Sequence, residues 1–254
     1  MIRSAFTLLE LLVVAAIAAL MMGLLLPGLS NARAQASSAV CRSNIRQLAV
    51  ANQLYAQDAR GTYVPGASFM RKNLHRWHGQ RAAQNLPFDS SRAPLATYLG
   101  GDGGIRACPT LATEKIGFEA GCGGYGYNKE YVGSRVMRTA HGQSVMIDDR
   151  AGAWSDRIAQ PGETIMFADA AFAEEAPIEY SFAEPRFHLQ PSTRADPSIH
   201  FRHLHLANVV WCDGHVSPER STFTWSSGLY STDPRRYEIG WFGLADDNSL
   251  FDLE

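Results

Sequence analysis

Histidine and carboxylate residues that could do chemistry are concentrated in the C-terminal third of the chain. His203 is followed, after nine intervening residues, by Asp213-Gly214-His215, and Asp169 ends an earlier apolar run. Imidazole and carboxylate groups bind zinc and other divalent ions, so these residues could form a metal-binding or enzymatic head if the fold brings them together. The chain has neither a metalloprotease spacing nor a G-x-S-x-G elbow. The sequence therefore predicts no enzyme and no cofactor.

A simpler interpretation of Asp213-Gly214 is a turn. The apolar run 207–212 precedes these two residues, and His215 begins a second run. Asp-Gly between two such runs predicts a hairpin with a two-residue type I′ turn, in which both central residues have positive φ. His203 lies upstream of the same hairpin. The sequence therefore favours a structural role, in which His203 hydrogen-bonds the turn or caps a neighbouring loop.

Four cysteines offer a second kind of chemistry: Cys41, Cys108, Cys122 and Cys212. None has the paired C-x-x-C spacing that is typical of structural zinc sites. Cys108 and Cys122 flank a glycine-rich loop, and a disulfide that closes such a loop would stabilise the fold by about 3 kcal/mol. We therefore expect a Cys108–Cys122 bridge. The other two cysteines could form a second bridge or remain buried thiols, and burial is the favoured alternative.

The N-terminus carries one carboxylate in an otherwise apolar run. Residues 6–26 are interrupted only by Thr7 and Glu10, and roughly 20 apolar residues span a hydrocarbon core. An unpaired carboxylate at mid-membrane costs about 2.5–3.5 kcal/mol, so Glu10 is expected to have a partner. Cleavage after Ala5 would supply one, the new α-amine of Phe6. The few charges before the run favour a head outside the cytoplasm.

Residues 5–10, Ala-Phe-Thr-Leu-Leu-Glu, resemble the leader and first helix of type IV prepilins and type II secretion pseudopilins. The resemblance implies cleavage between Ala5 and Phe6 by a prepilin peptidase, followed by N-methylation of Phe6. It also implies that Glu10 guides register as subunits stack into a fibre. Ala5 stands where glycine is usual in these proteins.

The His203-to-Asp213 spacing resembles the signature that defines a class of bacterial prepilin-like proteins. Further segments resemble the same class: residues 41–48, 55–58, 108–109, 125–128, 161–164 and 167–169. Together these motifs cover most of residues 1–216, whereas the tail from Ser217 predicts only an additional strand and loop. Resemblance to this class implies no established catalytic activity.

The elements that must position these residues begin with a helix over residues 30–58. Its buried stripe is predicted at Cys41, Ile45, Leu48, Asn52 and Tyr55, and Gly61 is its stop signal. Pro27-Gly28 predicts either a bend or local melting of the helix, or a simple membrane exit.

A helix followed by short strands predicts an α+β fold, with a long N-terminal helix packed on a head built around an antiparallel sheet. Strands are predicted at 144–147, 164–168 and 207–212. We expect a cleaved leader at 1–5, the membrane half of the helix at 6–26, its extracytoplasmic half at 27–60 and the head at 61–254.

The net charge and the predicted membrane anchor limit the functions that we expect. The formal net charge of −2 favours no nucleic-acid partner. The leading hypothesis is a single-pass inner-membrane prepilin or pseudopilin, whose partners are the prepilin peptidase and other pilin-like subunits in a secretion or surface fibre. The alternatives are a membrane-tethered binding module that does not polymerise, and a metal-binding or enzymatic head that uses His203 and Asp213.

Overall fold

The computed structural model describes residues 8–100, 104–111, 117–141, 143–189, 193–228 and 232–254, so Ala5 and Phe6 lie outside the described residues. The one α-helix of the described residues, α1, is Leu8–Asp58. The strands are β1 His75–Arg76, β2 Gly79–Gln80, β3 Tyr125–Tyr127, β4 Arg135–Arg138, β5 Ser144–Asp148, β6 Ile165–Asp169, β7 Phe172–Ala173, β8 Pro177–Ile178, β9 Ile199–His200, β10 Leu206–Trp211, β11 Val216–Arg220 and β12 Ile239–Gly240. Short 3-10 helices are Met70–Lys72, Ser90–Arg92, Ala96–Tyr98, Ser155–Arg157 and Pro234–Tyr237.

The two halves of α1 have different surroundings. Every side chain from residue 8 to 26 is exposed, and the helix is long and apolar enough to cross a membrane. The second half packs on the head through the predicted stripe, in which Cys41, Ile45, Leu48 and Asn52 are buried. The helix runs through Pro27-Gly28 without interruption, so the local melting considered there is absent.

The predicted stop of α1 is confirmed. The helix ends at Asp58, and Arg60 and Gly61 both have positive φ. The Gly61 N–H donates to the Ala56 carbonyl at 2.7 Å, the closure that left-handed residues commonly give a helix C-terminus. This closure turns the chain back into the head.

Four antiparallel strands, in the order β11-β10-β6-β3, form the sheet that packs on α1. The α+β class is confirmed, and the three predicted strands correspond to β5, β6 and β10. Side chains alternate between the two faces of a strand, so Val210 packs in the cluster beneath α1 and Val209 packs in the cluster on the far side.

Residues 232–254 close that far face of the sheet. Trp241, Phe242 and Phe251 are buried against Val209 and Trp211. The tail does contain a strand, β12, which pairs with β9. It also supplies part of the hydrophobic core, which the sequence did not predict.

Candidate functional site

His203 and Asp213 lie at opposite ends of β10. His203 precedes the first residue of the strand, Leu206, and Asp213 follows the last one, Trp211. A strand of this length rises about 3.3 Å per residue, so roughly 20 Å separates its two ends. The structure therefore does not combine His203 with Asp213 and His215 in one site.

The hairpin at Asp213-Gly214 is present, but its turn is not the predicted type I′. The Gly214 N–H donates to the Trp211 carbonyl at 2.9 Å, and Gly214 has a φ of 90°, whereas Asp213 is not in the positive-φ region. The loop has three residues because Trp211, and not Cys212, pairs with His215: the Trp211 N–H donates to the His215 carbonyl at 3.1 Å, while the Cys212 N–H donates to the Thr164 carbonyl at 2.9 Å. This is a type I turn followed by a left-handed glycine.

The side chains of Asp213 and His215 stabilise this turn. The Asp213 carboxylate accepts a hydrogen bond from the His215 backbone N–H at 2.9 Å and lies 2.7 Å from its Nδ1 atom. The His215 ring stacks on Trp211 at 5.6 Å between centroids. Both polar side chains are nearly half exposed, and their contacts account for a structural role.

His203 belongs to a buried cluster with Cys41, Cys108 and Asp169. Its Nε2 atom lies 3.4 Å from Cys108 Sγ and 3.3 Å from Asp169 Oδ2. The Cys41 thiol donates to Asp169 Oδ1 at 3.1 Å. One potential ligand atom from each of the four residues lies within 4.8 Å of the others. The sequence grouped Asp169 with His203, but it missed the two cysteines.

Four separate segments of the chain supply this cluster. Cys41 lies on the buried face of α1, and Asp169 is the last residue of β6. Cys108 lies in a loop whose backbone is held by a hydrogen bond from the Cys108 N–H to the Gly123 carbonyl, at 2.9 Å. The cluster thus joins the helix, the sheet and two loops.

A tight turn positions His203. His203 and Leu206 exchange both of their backbone hydrogen bonds, at 2.9 and 3.1 Å, and the two residues between them, Leu204 and His205, have φ values of 56° and 64°. This is the arrangement of a type I′ turn, and it costs roughly 1–2 kcal/mol at each non-glycine residue. The fold thus holds strained backbone next to the cluster.

Fixed donors surround the acidic members of the cluster. Asp169 Oδ1 accepts from Arg202 Nη2 at 2.7 Å, and Oδ2 accepts from the backbone N–H and the side-chain amide of Asn208, at 2.7 and 3.0 Å. Arg202 Nε also donates to Cys108 Sγ at 3.2 Å. The guanidinium thus faces both the carboxylate of Asp169 and the sulfur of Cys108.

The two thiols of the cluster ionise differently. The hydrogen bond from Cys41 lowers the pKa of Cys108 against the effect of burial, and hydrogen bonding to His203 and the charge of Arg202 lower it further. The same bond to Cys108, together with burial, raises the pKa of Cys41. The surroundings therefore favour ionisation of Cys108 over ionisation of Cys41.

All four cysteines lie in the described part of the chain and are free, so the predicted Cys108–Cys122 bridge is not present. Their sulfur atoms have different neighbours: Cys108 faces His203 and Arg202, whereas the Cys122 thiol donates to Glu179 at 3.6 Å. Both of the other cysteines are buried thiols, which was the favoured alternative.

A second group of possible ligands, Glu130, Glu184 and His188, lies beside a cavity of about 610 Å³. His188 Nδ1 is 2.7 Å from Glu130 Oε1, and Lys129 Nζ is 3.2 Å from Glu184 Oε1. Lys129 already supplies a positive charge to these carboxylates. The cluster of Cys41, Cys108, Asp169 and His203 is therefore the stronger candidate for an ion.

No protein-family model, curated protein or solved structure matches the chain. The cluster around His203 combines sulfur, nitrogen and oxygen atoms, and all four of its residues are buried. Such a cluster suits the binding of an ion better than the turnover of a substrate, which would need access.

Proposed function

We propose that the chain is a membrane-anchored prepilin-like subunit, with its head outside the cytoplasm, that joins a secretion or surface fibre after processing at Ala5. The observation that carries the proposal is the division of α1 into an exposed apolar half and a half that packs on the head. A single uninterrupted helix joins the two halves.

The apolar surface on the exposed half of α1 must be shielded from water. From residue 8 to 26 it presents an apolar surface far larger than a soluble monomer normally exposes. A lipid bilayer would cover this surface before assembly, and the helices of neighbouring subunits would cover it in a fibre. Both environments fit the same helix, which supports a subunit that moves from one to the other.

Glu10 gives the apolar half a polar feature near its start, in the first turn of the described helix. A carboxylate at this depth is expensive unless it is paired. Processing after Ala5 would free the α-amine of Phe6, four residues before Glu10 in the sequence. The resemblance to prepilins implies that Glu10 guides the register of neighbouring subunits, and we assign it that role, with the Phe6 amine of a neighbouring subunit as its partner.

Mass spectrometry of the mature N-terminus tests the proposal. The full chain should be produced with and without a prepilin peptidase and extracted from the membrane. We expect N-methylated Phe6 as the first residue when the peptidase is present and an intact Met1 when it is absent. Recovery of Met1 from both preparations would contradict the proposal.

The cavity of about 610 Å³ supports a second candidate, a tethered binding module that does not polymerise. Phe69, Met70 and Leu189 supply apolar walls, while Lys129 and Glu130 supply charges at one side. Ligand sites commonly combine such walls with a few polar groups. Mechanical shearing of cells separates the two candidates: a fibre subunit enters the sheared fraction, whereas a tethered module stays with the membrane.

A further inference from the structure

We propose that Cys41, Cys108, Asp169 and His203 bind one zinc ion that fastens helix α1 to the sheet of the head. Such an ion would act within the head, whether or not the chain joins a fibre. The chain has no C-x-x-C pair, the spacing that is typical of structural zinc sites. The fold supplies the ligands from four distant segments instead.

Three ligand-to-ligand distances within the cluster are close to those of a tetrahedral zinc ion, and all of them are below 4.8 Å. With bonds of about 2.0–2.3 Å, the edges of such a tetrahedron measure roughly 3.3–3.8 Å. The nitrogen of His203 lies 3.3 Å from the carboxylate of Asp169 and 3.4 Å from the sulfur of Cys108. The sulfur of Cys41 lies 3.1 Å from the same carboxylate. Small adjustments would therefore close the coordination sphere.

The chemistry of the ligands favours zinc over magnesium or calcium. Two thiolates and an imidazole are soft or borderline ligands, whereas magnesium and calcium prefer oxygen atoms. Four protein ligands complete a tetrahedral sphere and leave no position for water or substrate. A closed sphere of this kind is typical of structural zinc.

Hydrogen bonds from neighbouring residues orient the ligands. The Nδ1 atom of His203 lies 3.4 Å from Thr110 Oγ1, which leaves Nε2 directed at the cluster. Asn208 holds the carboxylate of Asp169 with two hydrogen bonds. The Tyr125 hydroxyl lies 3.3 Å from Cys41 Sγ. Outer partners of this kind fix the rotamer and tautomer of metal ligands.

The charges also balance. Two thiolates, one carboxylate and a zinc ion carry a net charge of −1, since the ligands contribute −3 and the ion +2. The guanidinium of Arg202 is buried against Asp169 and Cys108 and contributes +1. The loaded site with Arg202 would therefore be neutral, as a buried site requires.

A disulfide between Cys41 and Cys108 is the competing chemistry, because an extracytoplasmic compartment is oxidising. A disulfide needs neither a carboxylate nor an imidazole. Both are nevertheless buried beside the two sulfur atoms, and strained backbone at Leu204 and His205 holds the imidazole in position. These features favour zinc binding over a disulfide.

The test uses the full chain purified in detergent. Zinc content is measured after loading with zinc and dialysis, and cobalt(II) is substituted to reveal thiolate ligation by its near-ultraviolet charge-transfer absorption. We expect one zinc per chain and a cobalt spectrum with thiolate bands. A strong chelator should lower the melting temperature by roughly 5 °C or more, because an ion that binds only the folded state stabilises it.

Variants assign the effect to this cluster. Cys108→Ser should weaken zinc binding at least tenfold and reduce the thiolate band. Thr110→Val, at an exposed position, should retain the fold and weaken zinc binding by about tenfold through the orientation of His203. His215→Ala, at the other end of β10, is the matched control and should change neither measurement.

Three results would overturn the proposal: no zinc retained after loading, a cobalt spectrum without thiolate bands, or a Cys41–Cys108 disulfide in peptides mapped without reduction from the native compartment. If Cys108→Ser fails to fold, the cobalt spectrum of the unmodified chain and the zinc affinity of Thr110→Val still test the proposal. An unchanged affinity in Thr110→Val would remove His203 from the site.

Discussion

Nε2 of His203 lies 3.3 Å from the carboxylate of Asp169, the last residue of β6. This contact places His203 beneath α1, at the start of β10. Asp213 lies at the other end of the strand, beside Pro161, whose carbonyl accepts its N–H at 3.0 Å. The two residues of the signature therefore serve different parts of the head.

The nine-residue spacing of the signature corresponds to the length of one strand and its ends. Two residues complete the turn after His203, six residues form β10, and Cys212 begins the loop before Asp213. The spacing thus sets where the strand begins and ends. It does not bring two catalytic groups together.

Gly214→Val should lower the free energy of unfolding by more than about 1 kcal/mol, because a β-branched residue is strained at a φ of 90°. A side chain has room here, since an added Cβ would lie 3.4 Å from its nearest neighbour, Gln53 Nε2. The effect would therefore come from the backbone. Gly214→Asn, which tolerates the left-handed region, should cost less in the same denaturant titration. Equal losses would contradict the assignment.

The architecture could be predicted because it depends on local patterns. The apolar stripe of α1 from Cys41 to Asn52 follows the helical period, and the residues of β6 and β10 form continuous apolar runs. The stop at Gly61 also follows from the local sequence. Each of these features can be predicted from residues that are neighbours in the sequence.

The site could be predicted only in part, because its members meet through long-range packing. Residue type alone groups Asp169 with His203, and the structure brings them together. The spacing of Cys41 and Cys108 along the chain, by contrast, gives no sign that they meet. The wrong turn type at Asp213-Gly214 has a similar cause, since Cys212 bonds the distant residue Thr164 and Trp211 takes its place as the partner of His215.

Ile45→Ala should destabilise the head by roughly 2–5 kcal/mol, because the side chain is fully buried between α1 and the sheet and its removal leaves a cavity. Val50→Ala is the control on the same helix, since Val50 is 44% exposed. Its cost should stay within about 0.5 kcal/mol. Similar losses in thermal unfolding of both variants would show that the packing face of α1 is wrongly assigned.

Glu10→Ala should leave the chain cleaved and anchored but should block its incorporation into a fibre. Removal of the charge lowers the cost of membrane residence by up to about 3 kcal/mol, so anchoring should survive. The lost interaction is the one proposed with the Phe6 amine of a neighbouring subunit. Immunoblots of membrane and sheared fractions measure both properties. Glu10→Asp retains the charge and should restore part of the fibre yield, whereas a normal yield from Glu10→Ala would exclude the assigned role.

A buried ion pair links Arg76 on β1 to Glu119, which lies in a loop of the head. Glu119 accepts hydrogen bonds from Arg76 at 2.8–3.0 Å and from the Ser181 hydroxyl at 2.6 Å. Burial alone would raise the pKa of Glu119, but the hydrogen bonds from Arg76 and Ser181, together with the ring of His78 at 3.7 Å, outweigh it and lower the pKa to about 2. The folded state therefore favours the ionised carboxylate.

The pH dependence of stability should reveal this pair. Because the folded pKa of Glu119 is lower than its ordinary value of 4.5, its stabilising contribution is complete above pH 4.5 and is lost as the pH falls to about 2. Glu119→Gln should lower the free energy of unfolding at pH 7 by roughly 3–5 kcal/mol. It should also reduce the loss of stability between pH 4.5 and 2. Asp148→Asn, which breaks the more exposed pair with Arg150, should cost less than about 1 kcal/mol. Denaturant titrations of the full chain between pH 2 and 7 measure both effects. If Glu119→Gln lost stability between pH 4.5 and 2 as steeply as the unmodified chain, that loss would belong to other carboxylates.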